Sequence, residues 1–273
     1  MKNIYKLEMA RGFQSRGFYL SLFVGCGIAF VQWLADVVPA AYSQEAYMAL
    51  DYSMKYPYHV FNQWMGAHTY TFSYLYFFLL PLLVALPHAG SFLQDMDYHM
   101  IQELCIREER KYYYRAKYLA AFISGGSAAV IPLIFNFILT ASVLPLLKPQ
   151  SADYTTLIGM KSTLGDFYFL YPMLYVCIFI VIIFVFCGIL ATSAFIAAYY
   201  TDYLFIVLIT PFIVSLFLNS LFSMFGFTDW QMVFFLNPSY SGDRILPIIL
   251  EGGALFAVTF GMFVIRGSKD DIC

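Results

Sequence analysis

Six long stretches of this chain are predominantly apolar, and they constrain its fold more than any other feature. They lie at approximately residues 18–38, 70–93, 116–144, 167–195, 203–225 and 245–265. A helix needs about 20 such residues to cross the hydrocarbon core of a bilayer. Since lipid offers no hydrogen-bond partners to the backbone, runs this long are expected to be α-helices. The sequence therefore predicts an all-α, polytopic membrane protein with six transmembrane helices in a single domain, residues 1–273.

The composition agrees with this fold class and argues against several functions. Only 12% of the residues are charged, whereas a soluble domain carries about 25%. The net charge of −2 gives no basic surface of the kind that nucleic-acid binding needs. None of the five cysteines forms a C-x-x-C pair, so we expect no metal or redox site.

Prolines and short connections predict how the helices pack. Pro81 and Pro87 lie in the second run and Pro132 lies in the third. They predict kinks within a packed bundle, because neighbouring helices can satisfy the carbonyls that a proline frees. Little more than residues 199–202 separates the fourth run from the fifth, which predicts a tight helical hairpin.

Lysine and arginine are distributed unevenly between the two sides of the predicted bundle. With the N-terminus inside, the cytoplasmic segments hold eleven of the 15 basic residues, and the outer loops hold Lys55, Lys148, Lys161 and Arg244. Cytoplasmic loops of membrane proteins are enriched in basic residues. The sequence therefore predicts that both termini and the segment 94–115 face the cytoplasm.

That segment, between the second and third predicted helices, is unusually charged and only partly amphipathic. Projected on a helix, one side is apolar, although two charged residues interrupt it. The apolar residues are Leu93, Met96, Met100 and Leu104, with Ile101 at the edge, and the interrupting residues are Asp97 and Arg107. Arg115 and Lys117 follow, and we expect both to snorkel towards the membrane surface. The pattern fits either a solvated loop or a short helix offered to a cytoplasmic partner.

Three parts of the sequence together resemble a known family. The first apolar run is preceded by the sequence KLEMARGFQSRGFYLSLF, which continues into it. The charged segment is preceded by FFLLPLLVALPHAGSFLQD, and the long, proline-containing third run opens with RKYYYRAKYLAAF. In these features, and over essentially its full length, the chain is similar to the membrane-spanning permease subunit of bacterial ATP-binding cassette (ABC) transporters, in the type-2 permease family of exporters.

The resemblance implies a function, partners and a location. A short cytoplasmic coupling helix between helices 2 and 3 would dock on a separate ABC ATPase subunit. That subunit would hold ATP and magnesium, since this chain has no G-x-x-x-x-G-K-[ST] loop. A second permease copy or a paralogue would complete the pathway, surrounded by lipid of the bacterial plasma membrane. The chain itself would then be neither an enzyme nor a cofactor carrier, and an amphipathic peptide, a lipid-like molecule or a hydrophobic drug would fit as substrate.

The resemblance also assigns roles within the coupling segment. The apolar side of the helix would fill a groove on the ATPase, while Asp95, Asp97 and Glu103 would meet polar groups at its rim. The full set of predicted coupling residues is Asp95, Met96, Asp97, Met100, Ile101, Glu103, Leu104 and Arg107.

Two other classes of function compete with this interpretation. The adjacent Glu108 and Glu109 resemble the E-E-x-x-x-R motif of intramembrane CAAX-type proteases. However, Tyr113 stands at the arginine position and the pair lies outside the predicted spans. A non-transporting accessory, immunity or sensor membrane protein is the second alternative.

A few polar residues inside the predicted spans are candidates for the translocation pathway. Glu251 precedes Gly252 and Gly253 in the sixth run, and a carboxylate within a membrane usually faces the bundle interior or water. Glu251 therefore either lines the pathway or has a structural or water-facing role. Asn136 and Asn219 are further pathway candidates, although such amides also act as hydrogen-bond partners between helices.

The first outer loop, residues 39–69, is rich in tyrosine and contains His59, Trp64 and His68. The two histidines are nine residues apart, a spacing that does not indicate a metal site. We expect short reentrant or surface helices that form an outer lid, extended by residues of the last outer loop, Tyr240, Asp243 and Arg244.

Overall fold

The apolar runs fold into helices. The computed structural model describes residues 2–50, 56–68, 71–98, 109–151, 153, 156–240 and 245–267. Over these residues it contains α-helices with short 3-10 and π turns, and no strand. The α-helices, in chain order, are α1 (Lys2–Phe13), α2 (Arg16–Gln32), α3 (Val38–Ala49), α4 (Val60–Gln63), α5 (Thr71–Ala85), α6 (Ala89–Asp97), α7 (Arg110–Ala141), α8 (Gly165–Leu170), α9 (Pro172–Thr192), α10 (Ala194–Ala198), α11 (Leu204–Met224), α12 (Met232–Phe235) and α13 (Ile245–Phe260).

Six helical segments are long and apolar enough to cross a membrane, which confirms the predicted number and supports a multi-pass membrane protein. In order, the first to sixth spans are Arg16–Ala49, Thr71–Met96, Arg110–Ala141, Pro172–Ala198, Leu204–Met224 and Ile245–Ile265. Only residues 199–203 separate the fourth span from the fifth, as the sequence predicts for this hairpin.

The first span continues about ten residues beyond its predicted end near residue 38. A π turn over Trp33–Val37 joins α2 to α3, which reaches Ala49. In this turn the N–H of Val38 bonds to the carbonyl of Trp33, five residues back. The wider turn accommodates Pro39, which has no N–H to donate to the helical ladder. The segment predicted as an outer loop from residue 39 is therefore helical over its first third.

Side chains from neighbouring helices satisfy carbonyls close to the prolines. The second span breaks at residues 86–88, and the Ser15 hydroxyl donates to the carbonyl of Pro87 over 2.8 Å. In the third span, Pro132 lies inside the helix and the Tyr76 hydroxyl donates to the nearby carbonyl of Ala129. These contacts supply hydrogen bonds to backbone carbonyls beside the prolines, which is the kind of compensation expected in a packed bundle.

The third span forms the centre of the bundle. It packs along the fourth span, the first span and α1. In its most apolar window 56% of the residues are buried, compared with 17% in the fifth span. The fifth span therefore leaves a broad apolar face exposed, as do the first and sixth.

Loops at one end of the bundle, which we call the cap, pack together over the end of the third span. The N–H of Val60 bonds to the carbonyl of Pro145, and the Asn237 amide donates to the carbonyl of His68. Two short helices lie within the segment predicted to contain short reentrant or surface helices, Val60–Gln63 and Met65–Ala67, and their residues are buried. Tyr240 packs on Phe234 in the same region, whereas Asp243 and Arg244 lie outside the described residues.

At the other end of the bundle, which we call the α1 end, α1 lies against the beginning of the third span. A short turn joins it to α2, where the Ser15 hydroxyl accepts the N–H of Phe18. The start of α2 closely approaches the second span, since a Cβ atom at Gly17 would lie 2.0 Å from the carbonyl oxygen of Leu86. Only glycine permits that approach.

Candidate functional site

Six polar side chains from three separate parts of the chain meet at the α1 end of the bundle. We call this set the charged network: Glu8, Arg11, His88, Asp95, Tyr113 and Lys117. α1 contributes the first two residues, the second span the next two, and the third span the last two. The side chains of Glu8, Asp95 and Lys117 are fully buried, and that of Arg11 is 26% exposed.

The carboxylate of Asp95 is the most heavily bonded group of the network. Arg11 binds it in a bidentate manner, with Nη2 2.7 Å from Oδ1 and Nη1 3.1 Å from Oδ2. The Tyr113 hydroxyl donates to Oδ2 over 2.6 Å, and the Lys117 ammonium donates to the same oxygen. Asp95 therefore joins α1 to both the second and the third span.

Glu8 provides the second anionic centre. Its Oε1 accepts from Arg11 Nη1 over 3.1 Å, and its Oε2 lies 3.3 Å from Lys117 Nζ and 3.2 Å from His88 Nε2. Two carboxylates thus face two basic side chains, Arg11 and Lys117, and the charges balance without counting His88 when both are protonated. This balance makes full burial of the charges tolerable.

The spacing of these residues along the chain explains how α1 and the third span each present two of them. Glu8 and Arg11 are three residues apart on α1, and Tyr113 and Lys117 are four apart on the third span; residues at these spacings lie on one helical face. His88 lies in the break of the second span, directly before α6, and Asp95 lies within α6. α1 and the third span therefore each direct a pair of polar groups to this place from one helical face, and the second span supplies one residue from its break and one from α6.

The pKa values of the two α1 residues reflect these contacts. Burial by itself would raise the pKa of Glu8, but the close contact with His88 and the charges of Lys117, His88 and Arg11 outweigh it and lower the pKa to about 2. Burial likewise opposes the charge of Arg11, but the bond to Asp95 and the charges of Glu8 and Asp95 raise its pKa above the ordinary value. Both residues are therefore ionised at neutral pH.

The network is suited to holding helices together rather than to chemistry. Cations already occupy both carboxylates, so neither is free to act as a base. Removing one partner of a buried ion pair typically costs about 3–5 kcal/mol, because the remaining charge is left uncompensated. α1, the end of the second span and the start of the third span are consequently fixed to each other at this point.

Two predictions about these residues are wrong. One places Asp95 at the rim of a partner's groove, whereas its side chain is fully buried and bonded within the chain. The other has Lys117 snorkel to the surface, whereas it too is fully buried, because two carboxylates hold it inside. Arg115, in contrast, is exposed as expected.

The remaining predicted coupling residues lie on or beyond the end of α6. Met96 is partly buried and packs on an apolar cluster around Phe92 and Phe263. Asp97 ends α6, and the next residue, Tyr98, is 75% exposed. The other predicted coupling residues lie outside the described part of the chain: Met100, Ile101, Glu103, Leu104 and Arg107.

The two asparagines proposed for the pathway are occupied by structural hydrogen bonds. Asn136 is fully buried; its amide donates to the carbonyl of Ala29 and to Gln32 Oε1, and its oxygen accepts the N–H of Met65. Asn219 accepts the N–H of Met232 over 2.7 Å. Both therefore connect helices with cap or loop backbone, which is the alternative role that the sequence left open.

Glu251 differs from these asparagines because its carboxylate is not fully bonded. It is 6% exposed within the sixth span, and its Oε2 atom has no hydrogen-bond partner. A buried polar group without a partner is costly, and inside a membrane it marks a functional candidate. The prediction that Glu251 serves the pathway stays a prediction.

The histidines of the cap do not assemble a metal site among the described residues. His59 Nε2 lies 3.6 Å from a carboxylate oxygen of Asp153, and both side chains are buried. No group of three or more His, Cys, Asp or Glu side chains in the described chain has the geometry to hold a metal ion.

Comparisons of the chain with protein-family models, with curated proteins and with solved structures give no match.

Proposed function

We propose that this chain is the permease subunit of an ABC exporter in a bacterial plasma membrane, with both termini in the cytoplasm. It would form the translocation pathway together with a second permease copy or a paralogue. A separate ATP-binding cassette subunit would hydrolyse ATP. The proposal starts from the family resemblance of the sequence, and one feature of the structure supports it.

That feature is a set of hydrogen bonds in the charged network that joins the two ends of the predicted coupling segment. Asp95 lies near the end of α6, and Tyr113 and Lys117 lie near the start of the third span. Their direct bonds join the two ends of the segment between them. A partner that displaces this segment would therefore move both spans together.

The same network would carry the displacement to α1. Arg11 binds Asp95 with two hydrogen bonds, and Glu8 lies against Lys117. Rigid-body movement of packed helices is an established way of transmitting a change at one site to another. In this proposal ATP-driven closure of the partner subunits moves α1 and two spans as one unit, which changes access to the pathway.

Glu251 is the residue that we propose for the pathway itself. Exchanging its carboxylate for an amide preserves its shape, so Glu251→Gln should lower transport more than it lowers the yield of folded protein. Accumulation of amphipathic peptides or hydrophobic drugs in cells provides the assay. Unchanged transport at unchanged expression would give Glu251 a structural role.

The proposed function is tested by purifying the tagged chain from its native membranes in mild detergent. We expect a stoichiometric partner that contains a G-x-x-x-x-G-K-[ST] loop and hydrolyses ATP. Purification of the chain without such an ATPase would contradict the proposal and favour the accessory, immunity or sensor alternative.

A further inference from the structure

A groove of about 500 Å³ opens at the α1 end of the bundle, beside the charged network. It lies between the end of α1, the start of α2, the region of the second span around α6 and the start of the fifth span. Nothing in the proposed function assigns a role to it.

One wall of the groove consists of hydrogen-bond donors. It contains Arg11, Gln14, Arg16 and Gln94. Arg11 uses three of its five donor hydrogens on Glu8 and Asp95, which leaves two for a ligand. Arg16 is exposed, and no carboxylate in the described part of the chain forms an ion pair with it.

The opposite wall is apolar. Leu204 and Leu208, from the first two turns of the fifth span, line it. Arg16 begins the first span just as Leu204 begins the fifth. The groove therefore lies where two membrane-spanning helices begin, with charge on one side and aliphatic side chains on the other.

The charge of the groove favours an anion. None of the described residues that line it is acidic. Arginine is well suited to binding phosphate oxygens through two hydrogen bonds. Basic pockets between transmembrane helices on the cytoplasmic side of a membrane are typical sites for anionic lipid headgroups.

We propose that this groove binds the headgroup of an anionic phospholipid. The phosphate lies against Arg16 and the free donors of Arg11, the glutamine amides bind the remaining polar atoms of the headgroup, and an acyl chain runs along Leu204 and Leu208. Because Arg11 also holds Asp95, the bound lipid lies in direct contact with the charged network.

A second groove provides a matched control. It lies between the third and sixth spans and is almost wholly apolar, with Arg115 as its charged residue. Arg115 is exposed, like Arg16. Arg115→Gln therefore removes one positive charge from the chain without touching the proposed site.

The test measures lipid retained by the purified full-length chain, using native mass spectrometry. The protein is titrated with phosphatidylglycerol, phosphatidylcholine or inorganic phosphate. We expect one tightly retained phosphatidylglycerol per chain and retention of phosphatidylcholine that is weaker by roughly tenfold or more, because the choline cation offsets the phosphate charge beside the two arginines and offers no hydroxyl to the glutamine amides. Arg16→Gln should lower phosphatidylglycerol retention by roughly tenfold, and Arg115→Gln should leave it unchanged.

A second variant keeps the test independent of any effect of Arg16 on folding. Gln94→Glu preserves the shape of an exposed side chain and places a negative charge in the groove, so it should also release the lipid. Three results would overturn the proposal. The chain could retain both lipids equally, the Arg115→Gln control could lose as much phosphatidylglycerol as Arg16→Gln, or both groove variants, Arg16→Gln and Gln94→Glu, could retain it unchanged. If inorganic phosphate saturated the groove and displaced phosphatidylglycerol when the two were added at equal concentration, the groove would be a site for free phosphate instead.

Discussion

Replacing Asp95 with asparagine tests the charged network most sharply, because asparagine has nearly the same shape and no charge. In Asp95→Asn, the buried Lys117 and the partly buried Arg11 are left with Glu8 as their single carboxylate. Arg11 would lose two hydrogen bonds to a charged acceptor and Lys117 one. The variant leaves an uncompensated buried charge, which is the costly case for an ion pair.

The expected loss of stability follows from the burial of these groups. Because Asp95 and Lys117 are fully buried, water screens the lost interaction little, and we expect a cost of about 3–5 kcal/mol. For a chain of this size that corresponds to a fall in apparent melting temperature of roughly 10 °C. Restoring the charge balance in the double variant Asp95→Asn/Lys117→Met should recover much of the loss, since a buried pair can often be replaced by uncharged groups.

The assay heats the full-length chain in detergent and measures the folded fraction by fluorescence-detected size exclusion. Glu109→Gln serves as the control, because Glu109 pairs with Lys111 at the surface, where the two side chains are 63% and 47% exposed. We expect no measurable change in that variant. If Asp95→Asn were as stable as Glu109→Gln, or if the double variant were no better than the single one, the network would not hold the helices together.

Three further predictions follow from other parts of the molecule. Gly17→Ala should destabilise the chain, because its Cβ would meet the Leu86 carbonyl, whereas Gly27→Ala has open space at Cβ and should be neutral or slightly stabilising in the same thermal assay. The pKa of Glu8 is lowered to about 2, so the stabilisation from its charge is complete above the ordinary pKa of about 4.5 and is lost as the pH falls from there towards 2. Glu8→Gln should therefore flatten the dependence of melting temperature on pH over this range. Parallel curves for the variant and the original chain would exclude the effect. In sealed cells a membrane-impermeant thiol reagent should label Lys161→Cys and not Arg110→Cys, and labelling of the latter would refute the orientation predicted from the basic residues.

The sequence predicts the membrane architecture well, because the physics behind it is local. About 20 apolar residues in a row require a helix in lipid whatever the rest of the chain does. The six spans and the short connection at residues 199–203 follow from such local patterns. The extension of the first span to Ala49 did not, because the π turn before Pro39 leaves no clear mark in composition.

The charged network could not be predicted from these patterns, since it depends on contacts between distant residues. Arg11 and Asp95 are 84 positions apart, and each alone looks like an ordinary surface charge next to a span. A weak signal exists in the helical spacing of the pairs, three residues for Glu8 and Arg11 and four for Tyr113 and Lys117. That spacing shows which charges share a face, but not which helices bring the faces together.

The most direct test of the central claim, that the segment after α6 connects an ATPase to the charged network, is the double variant Met100→Asp/Leu104→Asp. Membranes containing the variant and the proposed ATPase partner are assayed for co-purification of the two proteins and for substrate-stimulated ATP hydrolysis. If buried apolar anchors dominate this interface, the variant should lose both while the six spans remain inserted, and Gln102→Ala should lose neither. Normal association and normal stimulation in the double variant would contradict the claim and leave the segment as a solvated loop.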